Sequence, residues 1–232
     1  MTDDVDPPGP DQLAARWSAL HHQIDPAGVP VLKGWLRLMW AGGRVLARAG
    51  VPPTAVTCAG VALAGSSVAL ARTRPVLAGV AVVGAAVCDG LDGATAVVGD
   101  RATRSGRIAD AVADRVCDGA FAAVLWRRGA PAWAAASAAG SAWGVDTLRR
   151  VRHVPSRITV AERPTFTVCA MLACESVVLT RRGWPARLSA AVWIGAGAVG
   201  VVQLLRTPTP DGQALGGPDR GGDVAPGQRD QG

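Results

Sequence analysis

The 232-residue chain has no tyrosine, two phenylalanines, one lysine and three histidines. So few aromatic residues leave no stacking platform for bases, and the eight tryptophans scatter toward the ends of apolar stretches, as interfacial anchors do. His21, His22 and His153 lie in polar segments without metal-ligand spacing. Cys58, Cys88, Cys117, Cys169 and Cys174 all fall within apolar stretches and form no CxxC pair, which excludes a thiolate metal site and a disulfide framework. They read as small packing residues. The opening MTDDVDPPGPD lacks a basic n-region and an adjoining apolar h-region, so no cleaved signal peptide is expected.

Alanine, valine, glycine and leucine supply the apolar mass, in long blocks separated by short arginine-rich breaks. Small residues let membrane helices approach closely where lipid offers no hydrophobic force between them. Six spans are predicted, at about 54–71, 75–98, 105–126, 130–148, 164–180 and 184–205, each near the length that crosses a bilayer core. Ahead of them, residues 29–49 place Val31, Trp35, Leu38 and Met39 at helical spacing, with Lys33, Arg37, Arg44 and Arg48 mainly on the other side. That pattern suits an amphipathic helix lying in the membrane interface. The expected fold is all-α: a six-transmembrane-helix bundle with an N-terminal interfacial helix. Residues 1–28 form a polar N-terminal segment, 29–206 the membrane domain, and 207–232 a tail whose Pro, Gly, Asp and Gln predict disorder.

The net charge is +6. Its arginines sit at the ends of apolar blocks, a placement that suits anionic lipid headgroups and disfavours nucleic acid. Lys33, Arg37, Arg44 and Arg48 precede the first span, the 99–107 turn adds three arginines and the 149–163 loop five. With six spans these segments share one side, which the positive-inside rule makes cytoplasmic. The prediction is a multi-pass protein of the cytoplasmic membrane.

The informative stretch is Cys88–Asp114. Asp89 and Asp92 are three apart at the end of one span, and Asp110 and Asp114 four apart at the start of the next. Both spacings put two side chains on one helix face, and the short turn between the spans makes the helices antiparallel neighbours whose faces can meet. Ionisable residues in spans are expensive and persist where they pair or do work. Oxygen-only ligands suit hard divalent cations, Mg²⁺ or Mn²⁺, which in turn hold a diphosphate. A structural polar network and an ion or proton pathway in a small transporter are the alternatives. A transporter should carry internally repeated broken helices, and no such repeat is visible.

The pattern Asp89-x2-Asp92-Gly93-x2-Ala96, then Gly106-x3-Asp110-x3-Asp114, resembles the signature of the CDP-alcohol phosphatidyltransferase family. The resemblance implies an enzyme of phospholipid biosynthesis. It would move a phosphatidyl group from CDP-diacylglycerol to an alcohol acceptor, release CMP, and use two divalent ions. It makes Asp89, Asp92, Asp110 and Asp114 metal ligands, with Asp114 also the general base. Asp92, Gly93, Ala96 and Gly106 would line the cytidine diphosphate site. It further implies a homodimer, and an active site facing the cytoplasm and open to membrane lipids. Two positions depart from the family. Val97 replaces an arginine after Ala96, with Arg101, Arg104 and Arg107 as possible substitutes from the turn. Phe166 stands where related enzymes often have another arginine. These losses make a catalytically impaired relative the alternative within the family. Arg157 and Arg163 are candidates for contact with an anionic acceptor or phosphate, whose identity one sequence does not give. Asp118 and Asp146 read as buried acids paired with arginine.

Overall fold

The computed structural model describes residues 30–152, 163–175 and 183–207. These form seven helices and, among the described residues, no strand: α1 Pro30–Arg48, α2 Pro53–Leu70, α3 Pro75–Val98, α4 Arg104–Arg127, α5 Ala132–Val151, α6 Arg163–Glu175 and α7 Trp184–Arg206. The expected polar segment 1–28, the tail beyond Thr207 and the candidate Arg157 lie outside the described residues. Prolines open α2, α3 and α7, where the missing N–H belongs to a first turn that has no partner for it anyway. Thr103 starts α4 by accepting a hydrogen bond from the Gly106 N–H at 3.0 Å.

Three helices, α2, α3 and α7, are long and apolar enough to cross a membrane. α4 and α5 have comparable lengths of 24 and 20 residues but carry more charge. α6 is described over 13 residues.

Small side chains set the packing. α2 buries Val56, Gly60, Ala64 and Ser67 in one stripe, and a Cβ on Gly60 would lie 3.1 Å from the Cys88 Cβ of α3. α5 packs on α7 through a run of buried alanines from Ala134 to Ala142. Few large side chains are buried in the bundle. Phe121, Leu125, Phe166 and Trp193 form the bulk of the core where α4, α6 and α7 meet. Gly129 takes a φ of 111° in the α4–α5 turn, with Gly183 against it: a Cβ there would lie 3.0 Å from the Gly183 Cα. Arg128, next in the chain, donates to the Ala71 carbonyl at 3.0 Å and the Ala173 carbonyl at 3.1 Å, tying α2, α4 and α6 together at one end.

α1 lies on α3. The buried residues of its described side chains are Leu36, Met39 and Gly43, while Trp35 and Leu38 of the expected apolar face are exposed. Gly43 decides this seating, because its Cα side meets the α3 backbone and leaves no room for a larger residue.

A second difference bears on the site. α3 and α4, expected as packed neighbours, make no extended contact with one another; α2 and α6 each pack against both. The two acid-bearing helices diverge from their turn, and the wedge between them is closed by helices from elsewhere in the chain.

Candidate active site

The carboxylates of α3 and α4 meet inside this wedge. Asp89, Asp110 and Asp114 each place an oxygen within 4.8 Å of the others. All three are half-buried. The i, i+4 spacing brings Asp110 and Asp114 onto one face of α4, and Asp89 reaches them from α3.

Asp92 is held separately. It is buried, with 5% exposure, and its Oδ2 accepts a hydrogen bond of 2.6 Å from the Thr57 hydroxyl of α2. Its Oδ1 accepts from the Gly93 N–H at 2.6 Å. Thr57 escaped the sequence reading. The signal available was a hydroxyl in the first turns of an otherwise apolar span, where a polar group needs a partner.

Three like charges this close need a counter-charge, and Arg163 at the start of α6 supplies one. Its Nη1 pairs with Asp89 and, at 2.5 Å, with Asp114, while its Nε stands 3.9 Å from Asp118. Sequence reasoning nominated Arg163 for an anionic ligand. Its position amid the acids was hidden, because 74 residues separate it from Asp89.

Gly93 is exposed, and no atom lies within 4 Å of where its Cβ would be, so open space adjoins Asp92. Ala96 is half-buried one turn further on, and the Gly106 N–H is spent on the Thr103 cap. A cavity of about 840 Å³ opens beside the acids, with Arg104, Arg107, Asp110, Asp114, Arg115 and Arg150 among its lining residues.

The two acids outside the signature behave differently. Asp146 bridges α4 and α5, paired with Arg115 and, at 2.9 Å, with Arg150. Asp118 continues the α4 stripe inward and is buried. Val97 is half-buried near the end of α3, and Phe166 is a core residue with 4% exposure.

The donor set fits a hard divalent cation. It consists of carboxylate oxygens alone, without a nitrogen or sulfur ligand in the group, and the wedge has already drawn in a cation of the protein's own.

An all-α bundle with three helices of membrane-crossing length and an acid cluster between two of its helices fits a membrane enzyme that works on phosphates through metal ions. Comparison with known proteins names the family. The CDP-alcohol phosphatidyltransferase family matches residues 51–203, and the chain belongs to it. It is thus a member of a family of enzymes of phospholipid biosynthesis that transfer a phosphatidyl group from CDP-diacylglycerol to an alcohol. Among solved structures, it is similar to the phosphatidylinositol phosphate synthase PgsA1 of Mycobacterium tuberculosis in complex with manganese and citrate. That match has a TM-score of 0.58 and 24% identity, covering 73% of this chain and 90% of that one. The same synthase with CDP-DAG bound gives a TM-score of 0.56 and 24% identity, covering 74% and 92%. This likeness is one of fold. No curated protein matches the sequence.

Proposed function

We propose that this chain transfers the phosphatidyl group of CDP-diacylglycerol to an alcohol, with Asp89, Asp92, Asp110 and Asp114 holding two divalent ions and Asp114 acting as general base. The observation that carries this reading is the meeting of Asp89, Asp110 and Asp114 within 4.8 Å, in a chain whose family match spans 51–203. The manganese and the CDP-DAG in the PgsA1 structures support the choice of cofactor and donor. Bound there, Mg²⁺ or Mn²⁺ would hold the donor's diphosphate and neutralise charge building on the leaving CMP.

The protein's own groups do the rest. Asp114 accepts the proton of the acceptor hydroxyl as its oxygen attacks the β-phosphorus, and the bond to CMP breaks on the opposite side. Asp92, Gly93, Ala96 and Gly106 line the cytidine diphosphate site; the open space at Gly93 allows close approach of the donor, and the Thr57 hydroxyl fixes Asp92. Arg104 and Arg107, lining the cavity beside the acids, supply the phosphate contact that Val97 cannot make. Arg157 and Arg163 are assigned to an anionic acceptor or headgroup.

In the membrane, α2 to α7 make up the six spans, and α1 lies at the cytoplasmic face with Trp35, Leu38 and Val45 turned outward to lipid. Residues 29–206 act as one membrane domain between polar ends, and the protein works as a homodimer.

The test is CMP release by purified protein in detergent, with CDP-diacylglycerol, Mg²⁺ or Mn²⁺ and a panel of acceptor alcohols. Acceptor-dependent CMP that disappears in Asp114→Asn is the expected result. Folded protein that binds metal yet yields no CMP with any acceptor would identify a catalytically impaired relative instead.

A further inference from the structure

Asp118 has no part in the transfer as described, yet it is among the most enclosed acids of the site. Its side chain is 7% exposed, and its Oδ1 has no hydrogen-bond partner among the described residues. A buried carboxylate oxygen without a donor is costly, and such a group calls for an explanation. The guanidinium of Arg163 comes within 3.9 Å of that oxygen through Nε, while its Nη1 occupies Asp89 and Asp114. Asp89 and Asp114 are also two of the proposed metal ligands. A divalent ion drawn to the same carboxylates would compete with the guanidinium, because two cations held this close in a half-buried site repel one another.

We propose that Arg163 is an exchangeable counter-ion, neutralising Asp89 and Asp114 before metal arrives and withdrawing onto Asp118 when metal takes those oxygens. The inference rests on the reading of Asp89, Asp110 and Asp114 as the metal site. Little movement is needed: at 3.9 Å, Nε lies about 1 Å beyond the usual hydrogen-bond distance to Asp118, so a small shift of the side chain completes the contact. The acids facing Arg163 are Asp89, Asp114 and Asp118. Arg115, another cation near this stripe, pairs with Asp146; it acts on Asp118 through its charge but gives the Asp118 Oδ1 no hydrogen bond. Asp118 is thus a positioning residue, and Arg163 acts as one toward the metal in addition to the acceptor contact proposed for it: together they set how readily the ligands open to metal.

The test is Mn²⁺ affinity of the full-length protein in detergent, read from the electron paramagnetic resonance signal of free Mn²⁺, with thermal melting to verify folding. Arg163→Gln should tighten Mn²⁺ binding on the order of tenfold, since no cation competes for the ligands, and Arg163→Lys should restore affinity toward the parent value. Asp118→Asn should weaken binding, because Arg163 loses the place to which it withdraws. In the Arg163→Gln background, Asp118→Asn should have no effect. An equal loss in both backgrounds would mean that Asp118 acts only by its charge, and would overturn the exchange. An unchanged or weaker affinity in Arg163→Gln would overturn it too, and that comparison stands even where Asp118→Asn does not fold. If the folded parent and all variants bind no Mn²⁺, the metal-site reading fails and the exchange falls with it.

Discussion

Phe166 lies flat on Trp193, ring centroids 4.6 Å apart and planes 11° from parallel. The pair joins α6 to α7 in a core built mostly from alanines. Phe166 is also the position at which the family resemblance implied an arginine, and here it is a packed core residue. Restoring the charge with Phe166→Arg should bury an unpaired guanidinium against Trp193, whereas Phe166→Ala should cost about 3 kcal/mol through the cavity it leaves. Thermal melting in detergent should rank parent above alanine above arginine. An arginine variant as stable as the parent would show that the stack carries no weight.

Gly43 seats α1 on α3. A Cβ there would lie 2.9 Å from the Ala94 Cβ and 3.0 Å from the Ala94 carbonyl carbon. Gly43→Leu should lift α1 from the bundle, exposing Pro30–Arg48 to added protease while the rest of the chain stays resistant. Gly34, with nothing near its Cβ position, is the control: Gly34→Leu should leave the cleavage pattern unchanged.

Asp110 and Asp146 are both half-buried acids, but only Asp110 belongs to the cluster of three. Asp110→Asn should weaken Mn²⁺ binding on the order of 10–100-fold at nearly unchanged melting temperature. Asp146→Asn should do the reverse, leaving Mn²⁺ binding intact while loosening α4 from α5 through the loss of its pairing with Arg115. Titration and melting of the two proteins side by side would expose any exchange of these roles.

The 2.6 Å hydrogen bond from Thr57 to Asp92 is a contact to an acid in a buried setting, a kind worth about 1.5–3 kcal/mol. Thr57→Val keeps the shape and removes the donor. It should raise KM for CDP-diacylglycerol more than it lowers kcat, with Thr57→Ser returning KM toward the parent value. A variant kinetically identical to the parent would remove Thr57 from the donor site.

The helices were legible because each apolar block is bounded by proline or arginine. α3 runs over Pro75–Val98, the range read from the sequence, and α2, α4 and α7 fall within a residue or so of theirs. The acids were legible for the same local reason: i, i+3 and i, i+4 spacing is a property of one helix at a time. What joins distant segments was not. Thr57 meets Asp92 across 35 residues and Arg163 meets Asp89 across 74, and no period in the sequence encodes such pairings. The face that α1 buries was read incompletely as well. The pattern of large apolar residues pointed to Val31, Trp35, Leu38 and Met39; of these Met39 is buried, joined by Leu36 beside Gly43, while Trp35 and Leu38 face outward.

The divergence of α3 and α4 separates two properties that most sites keep together. The acids belong to these two helices, but the distance between them is set by α2 and α6, which pack against both. The span of the carboxylate cluster can therefore be retuned by exchanging a small residue of α2, such as Gly60 or Ala64, with every acid left in place.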